Sequence, residues 1–186
     1  MPNQAELLDS QRRLSGVRAN FVVDANGQFT GVTGSSRDLN NEVDLALLKK
    51  LRSLSDVIVT DAATARAERY RPSKWAPIQI WSKTGNFQGI QIENGISALV
   101  TQQPTSSLKE LCASYDSILL ETGPTLTRLI AESELIDELK LTVVGKANLD
   151  EASALAGSTA EGLGLGYLHI SDYQLVSDTV FFTFSR

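Results

Sequence analysis

The sequence predicts an α/β domain in which helices flank a mostly parallel sheet with an antiparallel C-terminal edge hairpin. Three observations support this prediction. Short apolar segments of strand length alternate with segments of amphipathic helical spacing along most of the chain. Turn residues such as Asn26-Gly27 and Gly123-Pro124 separate these segments. The last two long apolar segments, 136–144 and 180–184, have no evident helix between them, which favours antiparallel pairing there.

The first predicted strand, 19–23, ends at 24–27, where the Asn-Gly pair indicates a turn that needs positive φ. The polar segment 30–36 follows, and we expect it to be functional or mobile. Asn41 then precedes a run of leucines at helical spacing, which predicts a capped amphipathic helix over 43–54.

The middle of the chain continues the alternation. A buried strand over 57–60 leads into a turn and a brief helical piece that ends at Tyr70. Two further short strands are predicted at 78–81 and 98–100, and 105–107 offers caps for the next helix.

In the C-terminal part, a buried strand over 117–121 leads through Gly123-Pro124 into a helix with an apolar face. A long strand follows at 136–144, and an aromatic strand at 180–184 closes the chain. The segment 145–166 contains five glycines, and we expect it to be irregular.

Composition limits the class of protein. The 186 residues suit one domain, which we place at 17–186 after an N-terminal arm or short helix at 1–16. The net charge of −5 and the lack of a basic stripe predict no nucleic-acid partner. No apolar run reaches the roughly 18 residues needed to cross a bilayer, and the N-terminal segment has no signal-peptide core. We therefore expect a cytoplasmic protein with no membrane partner.

The single cysteine and the single histidine exclude a disulfide framework and a zinc cluster, so no metal site is predicted. We expect Cys112 to be a small buried residue near a helix end, with a reactive thiol as the alternative. His169 is expected to be a structural residue on a strand near the closing one. The sequence contains no dinucleotide-binding Gly-x-Gly-x-x-Gly, no Walker A motif and no nucleophile elbow.

Three predicted strand ends, 24–27, 60–64 and 121–125, carry short polar side chains and turn residues. Ligands of open parallel sheets bind at the carboxyl ends of the strands, so these segments predict one small-molecule site. The strongest signal is the last segment, because Gly123 permits close approach of a ligand and the helix after it presents free N–H groups to phosphate. An ordinary strand-to-helix connection is the alternative.

Four stretches resemble the C-terminal reductase domain of bacterial riboflavin biosynthesis. Residues 118–126 are similar to its Glu-Gly-Gly-Pro-Thr-Leu segment, and 135–139 to its Leu-Val-Asp-Glu-Leu segment. Residues 51–59 resemble its Leu-Arg…Asp-x-x-x-Val step, and 64–70 its Thr-Val-x-x-Glu-x-Tyr piece. The resemblance spans 17–144, with a weaker continuation to the end of the chain.

The resemblance implies a dihydrofolate-reductase-like fold, NADPH as cofactor, and a homodimer. The implied reaction is hydride reduction of a phosphoribosylaminopyrimidine or a related pterin-like substrate. It assigns Asp24 and Asn26 to catalysis, with Asp24 as the candidate proton source, and Ser35 and Arg37 to the substrate, with Arg37 as a phosphate ligand. The implied cofactor-binding residues are Thr60, Ala62, Thr64, Ser82, Glu121, Thr122, Gly123, Thr125 and Leu126.

Some residues differ from that family's pattern. Asp61 and Ala63 replace glycines, Thr122 replaces the first glycine of the phosphate turn, and Asn26 replaces an aspartate. Asp61 would also place a negative charge near the phosphates of a dinucleotide. These differences favour a second hypothesis, a catalytically degenerate reductase-like module that binds a ligand or a dimeric partner.

Overall fold

The computed structural model describes residues 3–186. Its helices and strands are, in chain order, α1 (Gln4–Ser10), β1 (Gly16–Val23), a 3₁₀ turn (Ser36–Asp38), α2 (Glu42–Ser53), β2 (Val57–Asp61), α3 (Ala62–Ala67), β3 (Ile78–Ser82), β4 (Ile96–Val100), α4 (Pro104–Cys112), β5 (Ser117–Leu120), α5 (Pro124–Ala131), β6 (Glu138–Val143), α6 (Leu149–Gly162), β7 (His169–Val176) and β8 (Thr179–Ser185). Among these residues, no helix is both long enough and apolar enough to cross a bilayer.

The strands form one sheet with the order β4-β3-β2-β5-β1-β6-β8-β7. The strands from β4 to β6 in this order are parallel to their neighbours. The strand β8 pairs antiparallel with β6, and β7 pairs antiparallel with β8 at the edge. The predicted fold class, with its antiparallel C-terminal hairpin, is confirmed, and His169 lies on β7 as expected.

Side chains that alternate along the strands build a core on each face of the sheet. Ile118 and Leu120 of β5 pack on the face covered by α4, α5 and α6. Leu119, between them, packs on the opposite face with Leu47 and Leu51 of α2. Strands covered on both faces read as continuous apolar runs, which explains why β5 is evident in the sequence.

The helix α1 joins the core through Leu7 and the partly buried Leu8. Its Leu7 is buried in the same cluster as Leu47 and Leu51 of α2. The side chain of Asn3 accepts from the amide of Glu6, and the Glu6 carboxylate accepts from the amide of Asn3. This reciprocal cap fixes the start of the helix.

The prediction that 145–166 is irregular is wrong, because α6 occupies most of that segment. Asn148 caps the helix by accepting from the amide of Glu151 at 3.2 Å. The helix buries Ala152, Ala156 and Ala160, a stripe at i, i+4 spacing that lets it lie close to the sheet. Only Gly157 lies in the interior of this helix, where the alanines around it are strong helix formers, and the other glycines fall at or beyond its ends.

The expected burial of Cys112 is also wrong. Cys112 is the last residue of α4, as the sequence suggested, but its side chain is exposed. Leu108 and Leu111 form the buried face of this helix, and a residue one position after Leu111 points about 100° away from it.

Two glycines give opposite expectations for substitution by alanine. Gly16 has φ +142°, and a Cβ there would lie 2.4 Å from the Oδ2 of Asp137, which accepts the amide of Val17. Gly157 lies inside α6 and has open space around it. We expect Gly16→Ala to lower the free energy of unfolding by about 2 kcal/mol or more, and Gly157→Ala to raise it by about 0.5–1 kcal/mol. Urea denaturation of both variants tests this, and equal effects would contradict it.

Candidate functional site

A cavity of about 820 Å³ opens at the carboxyl ends of the parallel strands. This size lies within the range of sites that bind small ligands. Aromatic side chains on β1, on the loop after it and on β3 form part of its wall, and polar groups from four strand ends open into it: Phe21, Phe29, Trp81, Asp61, Ser82, Thr101 and Thr122.

The cavity brings together about half of the site residues predicted from the sequence. Those that line it are Thr64, Ser82, Glu121, Thr122, Gly123, Thr125 and Leu126. The other predicted residues lie outside its lining, and they are Asp24, Asn26, Ser35, Arg37, Thr60 and Ala62.

Asp24 stabilises the turn after β1. Its Oδ1 accepts from the amides of Asn26 at 2.8 Å and Gln28 at 2.9 Å, and Gly27 has φ +80° as the Asn-Gly pair predicted. Partial burial acts to raise the pKa of Asp24, but these backbone donors outweigh it and lower the pKa below its ordinary value. A carboxyl with a lowered pKa is ionised at neutral pH and is a poor proton source.

Ser35 and Arg37 contact Glu68 instead of the cavity. The hydroxyl of Ser35 donates to Glu68 Oε2 at 2.8 Å, and the amide of Ser36 donates to Oε1 at 2.7 Å. The guanidinium of Arg37 is exposed and lies 3.5 Å from Glu68 Oε2. Glu68 itself lines the cavity, so it anchors the polar loop to the cavity wall.

Thr60 and Ala62 are buried and do not line the cavity. The hydroxyl of Thr60 is fully buried and donates to the carbonyl oxygen of Glu121 at 2.8 Å, which ties β2 to β5. Ala62 is the first residue of α3 and is buried in the same core cluster as Leu47.

Asp44 is a candidate functional residue that the sequence did not predict. It lines the cavity from α2 and is only 4% exposed. Burial raises its pKa to about 6, against the opposing hydrogen bond to Thr142 on β6. With the Asn40 amide oriented to donate, its nitrogen lies 3.0 Å from Asp44 Oδ2. Asp44 can therefore hold a proton close to neutral pH.

Asn20 adds a second polar group to this part of the cavity. It lies on β1, which pairs with β6, the strand that carries Thr142. Its Oδ1 is buried and has no hydrogen-bond partner among the described residues. A buried amide oxygen of this kind is an acceptor available to a ligand.

Glu121 is held by two neighbours. Arg52 Nε lies 2.7 Å from Glu121 Oε1 and Arg52 Nη2 lies 2.5 Å from Oε2, a bidentate ion pair. The Tyr70 hydroxyl donates to Oε2, and its pKa is raised well above the ordinary value by burial and by the Glu121 charge. These contacts fix the carboxylate in the cavity wall.

The turn into α5 lines the cavity. Gly123 is the N-cap of the helix and provides no side-chain cap, and Pro124 occupies the first turn as predicted. The amides of Thr125 and Leu126 belong to this turn, where no intrahelical acceptor exists, and both residues line the cavity. The amide of Gly123 donates to Asp61 Oδ2 at 2.6 Å.

A basic side chain lies farther along the sheet. Lys83 follows Ser82 at the end of β3, and it is the one basic residue in the described lining. Three strand spacings separate β3 from β1, which places Lys83 about 14 Å across the sheet from β1, the strand that carries Asn20.

The acidic residues of the lining are Asp44, Asp61, Glu68 and Glu121. Within 3–186, no group of three His, Cys, Asp or Glu side chains is arranged to hold a metal ion.

No family model matches the chain, and no curated protein matches its sequence. Among solved structures, it is similar to a pyrimidine reductase-like protein from Corynebacterium diphtheriae, with a TM-score of 0.71 and 17% identity over 99% of this chain and 98% of that one. A riboflavin biosynthesis reductase from Saccharomyces cerevisiae gives a TM-score of 0.61 and 12% identity over 95% and 91% of the two chains.

Dihydrofolate reductase from Enterococcus faecalis, solved in complex with NADP(H) and RAB-propyl, has a TM-score of 0.58 and 11% identity over 95% of this chain and 99% of that one. At identities this low, the structural similarity establishes the fold alone. The chain therefore has the dihydrofolate-reductase-like fold that these reductases share.

Proposed function

We propose that this protein is an NADPH-dependent reductase of a phosphoribosylaminopyrimidine or a related pterin-like compound. The observation that carries this proposal is that a buried carboxyl with a pKa of about 6, Asp44, opens into the same cavity as the first turn of α5. One group can hold a proton and the other can bind phosphate, and a reductase of this kind needs both.

Two sets of cavity residues suit the phosphates of the cofactor. The free amides of Thr125 and Leu126 suit its diphosphate, because the positive end of the helix dipole adds to their hydrogen bonds. Ser82 and Lys83 suit its 2′-phosphate, since they supply a hydroxyl and a cation at the end of β3. When bound, NADPH supplies the hydride that reduces a C=N bond of the substrate.

The chain's own residues would supply the proton and the orientation. Asp44 would hold the proton that the substrate nitrogen takes up, and its burial keeps that proton available near neutral pH. Asn20 Oδ1, which has no partner among the described residues, would accept from an amino group or ring N–H of the pyrimidine. Phe21 and Trp81 would help to exclude water from the reacting bond.

A second candidate function is ligand binding without turnover. The observation that favours it is the contact between Asp61 and the Gly123 amide, which places a carboxylate at the turn where the cofactor's diphosphate would bind. In that case the cavity would hold a pyrimidine-like ligand alone, and the chain would serve as a binding module or dimeric partner.

Titration with NADPH, followed by its fluorescence, distinguishes the candidates. We expect the wild-type protein to bind NADPH and Gly123→Val to weaken binding at least tenfold, because a Cβ at Gly123 would lie 3.1 Å from Thr64 Oγ1 and 3.3 Å from Asp61 Oδ2, in the cavity. The variant should fold, since Gly123 has φ −68°, which valine also adopts. Gly157→Val on α6 serves as the control.

Three outcomes would change this assignment. Failure of the wild-type protein to bind millimolar NADPH removes the reductase proposal. Tight binding without oxidation of the cofactor by any pyrimidine or pterin tested favours the second candidate. Unchanged NADPH affinity in Gly123→Val shows that the dinucleotide does not use the α5 turn.

A further inference from the structure

We propose that Asp61 is an internal anion that competes with the cofactor's diphosphate for the α5 turn and so sets the dinucleotide affinity of the protein. This inference rests on the proposed function, because it concerns how the same cavity admits NADPH. It assigns a specificity-determining role to a residue that lies outside the proton-donating and substrate-binding groups.

The contacts of Asp61 are those that a bound phosphate oxygen would make. Its Oδ2 accepts from the Gly123 amide at 2.6 Å and from the Thr64 hydroxyl at 2.8 Å, and its Oδ1 accepts from the Thr64 amide at 2.9 Å. The carboxylate thus joins the start of α3 to the turn before α5. Backbone amides at such positions are the groups that proteins use to bind anions.

The surrounding charges strengthen the competition. Asp44, Glu68 and Glu121 also line the cavity, and Lys83 is the one basic residue in the described lining. The Glu121 charge is offset by Arg52 at 2.5 Å. Among the hydrogen bonds and ion pairs of the described residues, no cationic side chain contacts Asp61. A diphosphate at the α5 turn therefore meets an uncompensated negative charge a few ångströms away.

Two arrangements of the turn follow from these contacts. With the cavity empty, Asp61 satisfies the Gly123 amide and the turn carries its own anion. With a dinucleotide present, the diphosphate must either share the turn with the Asp61 charge or displace the carboxylate to a rotamer away from Gly123. Both arrangements weaken NADPH binding relative to a chain with a neutral residue at position 61.

Two substitutions at position 61 test the effect of the Asp61 charge and of its contact with the Gly123 amide. Asp61→Asn keeps the length of the side chain and an acceptor for Thr64 but removes the charge. Asp61→Ser also caps α3 well but cannot reach Gly123. Asp172→Asn, which removes an exposed carboxylate on β7, is the matched control.

The experiment measures the dissociation constants of NADPH, by fluorescence, and of inorganic pyrophosphate, by calorimetry, for all four proteins. We expect both Asp61 variants to bind NADPH at least tenfold more tightly than wild type, with Asp61→Ser at least equal to Asp61→Asn, and pyrophosphate to follow the same order. The control should match wild type. The Gly123 amide, observed by NMR, should lose its hydrogen-bonded proton shift in Asp61→Ser.

The outcomes separate this inference from the proposed function. If wild type fails to bind NADPH and Asp61→Ser binds it, the inference stands and the natural chain is the binding module of the second candidate. If all four proteins bind NADPH equally, the inference is overturned and the proposed function is unaffected. If none binds NADPH, both are overturned, because the opened turn should accept a diphosphate.

Discussion

Replacing Asp44 by asparagine is expected to lower kcat at least 100-fold while NADPH affinity changes less than about threefold, because a positioned general acid contributes about 10²- to 10⁴-fold to such steps. Asparagine has nearly the same shape as aspartate, so the cavity keeps its form and loses a transferable proton. The measurement is steady-state reduction of the substrate, with NADPH binding measured in parallel. A variant that retains wild-type kcat would show that the proton comes from elsewhere.

If the wild-type protein is the proposed reductase, the pH dependence of its kcat should also reflect Asp44. Burial raises the pKa of Asp44 from 3.8 to about 6, so the acid form that donates the proton is lost as pH rises through about 6. We therefore expect kcat to fall with increasing pH above that value. The residual activity of Asp44→Asn should show no such fall, and a shared pH profile would contradict the assignment.

The same substitution should stabilise the protein at high pH. A buried carboxyl with a raised pKa favours folding in its protonated form below pH 3.8, and that contribution is lost as pH rises through about 6. A tenfold change in an acid dissociation constant corresponds to about 1.4 kcal/mol, so the free energy of unfolding of Asp44→Asn should exceed that of wild type by up to about 3 kcal/mol at pH 8. The difference should be small below pH 4. Asp172→Asn is the control, and destabilisation of Asp44→Asn at pH 8 would contradict this account.

The sequence predicted most of the sheet because its strands are covered on both faces. Residues such as Ile118 and Leu120 must be apolar when helices lie on both sides of a strand, so the pattern reports the fold directly. The helix α6 was not predicted, because the segment that contains it is rich in glycine. Glycines are typical of loops, but four of the five in 145–166 lie at or outside the ends of the helix, and its alanines, such as Ala152, let it pack close to the sheet.

The site was harder to predict than the fold. The turn around Gly123 is a local pattern, and the structure places it in the cavity. Asp44 has no local signature except its position three and four residues before Leu47 and Leu48, which places a charge on the apolar face of α2. Whether such a carboxyl is solvated or buried depends on β6, which lies far away in the sequence. The role of Asp61 likewise depends on a contact across 62 positions, with Gly123.

Arg52→Met is expected to be strongly destabilising, because Arg52 is the cation paired with Glu121 of the cavity wall. Arg52 and Glu121 form a bidentate pair, with side chains 18% and 6% exposed. Methionine fills the space of the Arg52 stem but leaves the Glu121 carboxylate buried without its cation, which lowers the free energy of unfolding by about 3–5 kcal/mol. Urea denaturation at pH 7 measures this. The control is Arg13→Met, whose ion pair with Asp56 is largely exposed and should contribute little to stability.

The double variant Arg52→Met/Glu121→Gln shows whether the loss comes from the unpaired charge. With both charges of this pair removed, the stability should recover most of what Arg52→Met loses, because a neutral amide needs only hydrogen bonds, and the Tyr70 hydroxyl can still supply one. If the double variant is as unstable as Arg52→Met alone, the guanidinium acts through packing over the Tyr70 ring, 5.3 Å from its centroid. Recovery would establish that the cavity wall contains a carboxylate whose charge is tolerated only because α2 brings a cation to it.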